Sequence, residues 1–177
     1  MMENQNVSQI LAIMVTDIVG YTQTMNEDDN KAWDYIKKQR AIIPPMVSKM
    51  NGYMFKEMGD GTYSKFKSAI DAVQCAVRIN NEAIKRELPI KIGVHLGEVK
   101  DDGHDVIGTG VNIADRINSL ATANKIIISD DIWRQIRSQA DMEATSMGKK
   151  ELKGYHESLE VFELIHNPDG SLTKKIK

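Results

Sequence analysis

A chain of 177 residues, 41% hydrophobic and 27% charged, is sized for one packed domain and has the composition of a soluble globular protein. Its formal net charge of −2 excludes a general electrostatic attraction for nucleic acid, and no basic strand face carries the aromatics that an RNA reader would use. The single cysteine, Cys75, excludes an internal disulfide and a cysteine-based zinc site, and the run ILAIMV is far too short to cross a bilayer. The expectation is a cytoplasmic protein with no membrane segment and no nucleic-acid partner.

The apolar run ILAIMVTDI predicts a buried strand that ends at Asp17. Directly after it, IVGYT is expected to turn into a helix whose first backbone N–H groups are free, a natural seat for phosphates. In KAWDYIKKQRAIIPPMVSKM, Trp33, Ile36 and Ile43 recur at helical spacing, and Pro44-Pro45 predicts a kink or a break. FKEMGDGTYSKF reads as a hairpin around Gly59-Asp60-Gly61. Taken alone, Asp60 is accounted for by the turn, because Asp and Gly both tolerate positive φ. The next helix, in SAIDAVQCAVRINNEAIKREL, places Ile70, Val73, Val77 and Ile84 on one face with Ser68 as its N-cap. Cys75 lies on the buried side of that helix, with no basic or metal-binding neighbourhood to make it reactive.

PIKIGVHLGEV alternates as a strand with Ile90, Ile92, Val94 and Leu96 on one side, and KDDGHD predicts a turn into a second strand. VIGTGVNIADRINSLA reads as a helix capped by Thr109, KIIIS as a short buried strand, DDIWRQIRSQ as a capped helix and ELKGYHESLEVFELI as a closing pair of strands. The polar end from Asn167 is expected to fray. His95, in an alternating strand, and His104, in a turn, have no partner at metal-site spacing and read as structural, while the ten methionines read as adaptable packing. The order of elements predicts an α+β fold, a ferredoxin-like split βαβ core with additional strands and helices, the helices lying mainly on one face.

Asp17 at a strand end and Asp60 at a hairpin tip could meet at one edge of the sheet, where paired carboxylates bind hard divalent cations. Asn112 and Arg116 are four apart and share a helix face, Asp115 points elsewhere, and the forked guanidinium suits a phosphate. Each of these polar residues alone reads more readily as a solvated helix face. The segments TDIVGYT, KEMGD and DVIGTGVNIADRI carry more, because they occur together in this order.

These segments resemble the class III nucleotidyl cyclase catalytic domain, which makes cyclic AMP or cyclic GMP, over about residues 10–165. Residues 1–9 then form an N-terminal extension and residues 166–177 a polar tail. The resemblance implies that Asp17 and Asp60 bind two Mg²⁺ or Mn²⁺ ions per active site, with the backbone carbonyl of Ile18 as a further ligand and Val19, Gly20, Tyr21 and Thr22 beside the phosphates. Lys56, four residues before Asp60, falls where adenylyl cyclases of the family carry the lysine that reads the purine, and Asp105, with the adjoining Val106, falls on its acidic partner. The chemistry agrees, since adenine N1 accepts from a lysine and its amino group donates to a carboxylate. Strand alternation turns the neighbouring Glu57 to the opposite face from Lys56.

By the same resemblance Asn112 orients the ribose, Arg116 stabilises charge at the α-phosphate, and Lys153 in ELKGY grips the terminal phosphates. The family assembles shared sites, which implies a homodimer with two composite active sites. One chain would bring Asp17 and Asp60, and the other Lys56, Asp105, Asn112, Arg116 and Lys153. The expected activity is conversion of ATP to 3′,5′-cyclic AMP and pyrophosphate. The alternatives are a guanylyl cyclase of the same fold and a catalytically silent, nucleotide-binding regulatory domain.

Overall fold

The computed structural model describes residues 7–139 and 142–167, so most of the expected N-terminal extension and of the polar tail lies outside the described residues. In chain order the elements are β1 (Val7–Ile18), α1 (Tyr21–Glu27), α2 (Asp29–Lys49), β2 (Gly52–Met58), β3 (Gly61–Phe66), α3 (Ala69–Lys85) and β4 (Ile90–Asp101). They continue with β5 (Val106–Ile107), α4 (Thr109–Leu120), β6 (Ile126–Ser129), α5 (Asp130–Ile136), β7 (Glu143–Glu151) and β8 (Ser158–Ile165).

All strands join one sheet in the order β2-β3-β1-β4-β6-β8-β7, with the short β5 paired to the end of β4. The first four lie as β2-β3-β1-β4 with every neighbour antiparallel, so β3 is inserted between β1 and β2. That is the ferredoxin-like split βαβ arrangement expected from the element order. β6 extends it in parallel to β4, and β8 and β7 follow antiparallel.

The two faces of β1 are both covered, which is why its sequence is an unbroken apolar run. Ala12, Met14 and Ile18 pack into the main core with α2, α3 and α5, while Leu11, Ile13 and Val15 pack on the other face with Val99, Val106 and Ala114 of α4. α4 sits on β4 at backbone distance. A Cβ at Gly93 would lie 2.4 Å from the Asn118 backbone nitrogen, and one at Gly97 would lie 3.0 Å from the Gly110 Cα. This close seat leaves the far side of α4, with Asn112 and Arg116, facing outward.

Several expectations are corrected. Of the kink or break expected at Pro44 and Pro45, the break does not occur: α2 is a single helix through both prolines. The prolines release the carbonyls of Arg40 and Ala41 at exposed positions, and the burial of Ile42, Ile43 and Val47 holds the helix to the sheet. The buried stripe of α2 follows Ala32, Ile36, Gln39, Ile43 and Val47, leaving Trp33 50% exposed with Arg40 against its ring. On α3 the stripe follows Val73, Ala76, Asn80 and Ala83, so Ile84 falls on its edge and is 46% exposed. Ser68 does cap α3, accepting from the Asp71 N–H. The cap of α4 is Gly108 rather than Thr109, because the chain enters at φ 131°, which a side chain would oppose. The closing pair of strands begins at Glu143, so ELKGY is the end of β7 and the loop after it.

Cys75 is fully buried, and burial pushes its thiol up to about 12 despite the nearby Arg78. His95 is buried under α4, and burial pushes its imidazole down to about 4, so it is a neutral packing residue.

Candidate active site

The end of β1 and the β2–β3 turn bring Asp17 and Asp60 together. Buried hydroxyls of Thr16 and Thr62 share a hydrogen bond of 2.6 Å and hold β1 on β3 just below the turn. The Ile18 N–H donates to Asp60 Oδ2 at 3.1 Å, and Gln39 Nε2, from the buried face of α2, donates to the Asp60 carbonyl at 2.6 Å. The turn is therefore tied from both strand and helix.

Asp17 lies opposite Lys91 in the β1–β4 register, with the ammonium 3.6 Å from its carboxylate. Its carboxyl is nevertheless pushed up to about 7, first by burial and then by the hydrogen bond and charge of Asp60, against the opposing pull of Lys91. Two carboxyls so placed share a proton unless a cation takes its place. The donor set is all hard oxygen, which fits Mg²⁺ or Mn²⁺. Among the described residues no group of three or more His, Cys, Asp and Glu could hold a metal, so an ion at this pair would complete its shell with backbone carbonyl, water or substrate oxygens.

The outer face of α4 forms a second assembly. Asn112, Arg116 and Lys153 line one open cleft of about 330 Å³, with Tyr155 at its wall. Lys153 reaches it from the loop between β7 and β8, more than thirty residues along the chain. One helix face and one loop thus set two fixed cations and an amide around a cavity suited to a polyanion.

Lys56 stands on the same sheet face as α4. Its ammonium lies 5.8 Å from the centre of the Tyr63 ring, while Glu57 turns to the opposite face and pairs with Arg40 of α2 at 2.8 Å. Strand alternation does this, even though the β2–β3 register shifts between Met54 and Lys56. The Tyr63 hydroxyl donates to Asp115 Oδ1 at 2.9 Å. Burial, then the bond to Asp115, pushes that phenol up to about 12, so it remains a donor. Asp115 is accordingly turned away from the cleft that holds its neighbours Asn112 and Arg116.

The sequence model of the adenylate and guanylate cyclase catalytic domain matches residues 2–166. The chain belongs to this family. A Rhizobium meliloti protein named "Putative adenylate cyclase 3" is 30% identical over 163 residues, covering 87% of this chain and 28% of its own length. A Streptomyces coelicolor protein named "Adenylate cyclase" is 23% identical over 146 residues, which are 81% of this chain and 38% of that protein. The chain thus spans well under half the length of these curated relatives.

The same cyclase fold recurs in solved structures. An adenylate/guanylate cyclase/hydrolase from Silicibacter pomeroyi has a TM-score of 0.84 at 23% identity, covering 91% of this chain and 99% of that one. The adenylyl cyclase CyaB from P. aeruginosa has a TM-score of 0.80 at 20% identity (91% and 97% covered), and the guanylyl cyclase Cya2 one of 0.78 at 19% (90% and 93% covered). Both purine types share this fold, so purine choice rests on individual side chains. Among the described residues no helix of the domain is long and apolar enough to cross a membrane.

The remaining expected positions of this cyclase domain are spread around the two assemblies. Asp105 is exposed in the turn before β5, its carboxylate accepting from the Val106 N–H at 2.8 Å. The Val106 side chain is buried, which leaves only its backbone for a ligand. Among the described residues no hydrogen bond or ion pair joins Lys56 to Asp105, or the aspartate pair to the α4 cleft. At the start of α1, Gly20 makes the turn at φ 72°, and the first helical turn leaves the N–H groups of Tyr21 and Thr22 free. Val19 differs from expectation, because its N–H is taken by the Pro89 carbonyl at 2.8 Å.

Sequence reasoning missed Gln39, Lys91 and the Tyr63–Asp115 bond. Gln39 had a signal, a polar residue inside an apolar helical stripe. The other contacts depend on strand register and helix placement, which no local pattern encodes.

Proposed function

We propose that the chain is an adenylyl cyclase that converts ATP to 3′,5′-cyclic AMP and pyrophosphate. The observation that carries the purine assignment is Lys56 presented on the α4 face while Glu57 is drawn to the helical face by Arg40. A lysine donor there matches the adenine N1 acceptor, and Asp105 would accept from the amino group.

Asp17, Asp60 and the Ile18 carbonyl would hold divalent cations, which supply Lewis acidity at the 3′-hydroxyl and at the triphosphate. The chain's own residues do the rest. Asn112 orients the ribose, Arg116 places fixed positive charge at the α-phosphate, and Lys153 grips the terminal phosphates in the same cleft. The 3′-hydroxyl passes its proton to solvent, its oxygen forms a bond to the α-phosphorus as the bond from that phosphorus to the bridging oxygen breaks, and pyrophosphate departs. The first turn of α1, with Tyr21 and Thr22, seats phosphate oxygens. A two-fold homodimer that sets one chain's aspartate pair against its partner's α4 cleft completes each site, which accords with the two assemblies sharing no bond among the described residues of one chain.

The test is to incubate the pure protein with ATP or GTP and Mn²⁺ or Mg²⁺ and to identify the products by mass spectrometry. Cyclic AMP and pyrophosphate from ATP are expected. A GTP preference would make it a guanylyl cyclase, and nucleotide binding without pyrophosphate release a silent regulatory domain. In the active protein, Lys56→Glu with Asp105→Cys is expected to shift the ratio toward GTP.

A further inference from the structure

Tyr63 occupies a junction that neither the aspartate pair nor the α4 cleft accounts for. It stands on β3 opposite Val15 and Lys56, which places it on the face that carries Asp17 and α4. Phe55 packs against it with ring centroids 6.3 Å apart, and its ring is half-buried. Above the ring lies the Lys56 ammonium, and beyond its hydroxyl lies the carboxylate of Asp115. A cation therefore stands over the face of one phenol and an anion at its hydroxyl. Asp115 is half-buried, and the Tyr63 hydroxyl is the partner of its Oδ1. A half-buried carboxylate that loses its donor seeks another, and the ammonium over the face of the same ring is a candidate.

We propose that Tyr63 is a positioning residue for purine selection: its ring seats Lys56, and its hydroxyl engages Asp115, so that Asp115 does not draw Lys56 into an ion pair and away from the nucleotide. The inference rests on the reading of Lys56 as the purine-facing lysine. The raised phenol is consistent with the role, because the hydroxyl keeps its proton and donates through the neutral range. The bond ties β3 to α4 across the sheet face, which explains how the helix bearing Arg116 is registered against the strand pair bearing Lys56.

The experiment compares the wild type, Tyr63→Phe and the double variant Tyr63→Phe/Asp115→Ala. Tyr63→Phe keeps the ring but frees Asp115. Its ATP-to-GTP ratio of kcat/KM is expected to fall at least about tenfold, mostly through a higher KM for ATP. The double variant removes the competing carboxylate and is expected to regain most of that ratio. A merely structural role would leave the double variant no better than the single one. A parallel readout is independent of turnover: in protein whose lysines carry ¹³C-methyl groups, the Lys56 resonance, assigned with Lys56→Arg, is expected upfield from the Tyr63 ring current. It should lose that shift in Tyr63→Phe and recover it in the double variant.

An unchanged nucleotide ratio in Tyr63→Phe, or a Lys56 resonance that does not move, overturns the proposal. If the wild type shows no ATP preference, the adenylyl cyclase reading fails, while the resonance still decides whether Tyr63 holds Lys56 from Asp115. Should Tyr63→Phe not fold, Asp115→Ala alone is expected to keep the wild-type nucleotide ratio and Lys56 resonance, because no carboxylate remains to draw the lysine, and a fall in that ratio would overturn the proposal.

Discussion

Replacing Asp60 by Asn tests the aspartate pair without any nucleotide. In the cation-free protein the Asp17 carboxyl is raised from 3.8 to about 7, by burial first and by Asp60 next. The folded chain therefore retains a proton that the unfolded chain gives up between about pH 4 and 7. Its contribution to stability is full below pH 4 and is lost as pH rises through 7. A displacement of that size corresponds to roughly 4 kcal/mol. The Asp17 side chain is 34% exposed, and solvent screening reduces the effect to about 1–2 kcal/mol.

The Asn side chain keeps an acceptor for the Ile18 N–H but carries no charge, so the Asp60 share of the penalty disappears. At pH 8 in chelator, Asp60→Asn is expected to be about 1 kcal/mol more stable than wild type, a Tm about 2–4 °C higher for a chain of this size. At pH 5 the two should melt together. Mn²⁺ should reverse the order at pH 8, because it stabilises the folded state only where both carboxylates are present. Differential scanning calorimetry from pH 5 to 8, with chelator and then with Mn²⁺, reads all three results. A Tm gap that is the same at both pH values, or equal stabilisation of the variant by Mn²⁺, would refute the shared-cation account.

Mixing inactive Asp17→Ala and Arg116→Ala proteins under conditions of subunit exchange should restore roughly a quarter of wild-type activity, because about half of the dimers are mixed and half of their sites are intact; no recovery despite demonstrated exchange places the site within one chain. Gln39→Leu removes the anchor on the Asp60 carbonyl and also a buried Oε1 that has no partner. Stability should therefore change by less than about 1 kcal/mol, while calorimetric Mn²⁺ affinity falls about tenfold. Gly93→Ala sets a Cβ against the Asn118 backbone, which cannot yield as a side chain would. A loss of about 1–3 kcal/mol in urea unfolding is expected, with a larger proportional loss of turnover as α4 shifts.

The sequence by itself determined the elements whose burial leaves a local mark. β1, β4 and β6 are covered on both faces or at the sheet centre and read as apolar runs, α3 carries its own cap, and the hairpin announces its turn through Gly59-Asp60-Gly61. Family membership was legible for a related reason, since TDIVGYT, KEMGD and DVIGTGVNIADRI are short segments that occur in order along the chain. β7 left little such mark, because it is an edge strand that is polar on most of its length, and so the loop position of Lys153 was not readable. The continuity of α2 was equally hidden: its two prolines argue for a kink or a break, and packing against the sheet carries the helix through them. Tertiary structure alone decided which charges meet. Lys91 faces Asp17 through strand register, Gln39 reaches the Asp60 turn from a helix, and Tyr63 finds Asp115 across the sheet because glycines let α4 lie directly on β4. Each of those contacts joins residues far apart in sequence, where periodicity carries no information and the fold alone sets the distance.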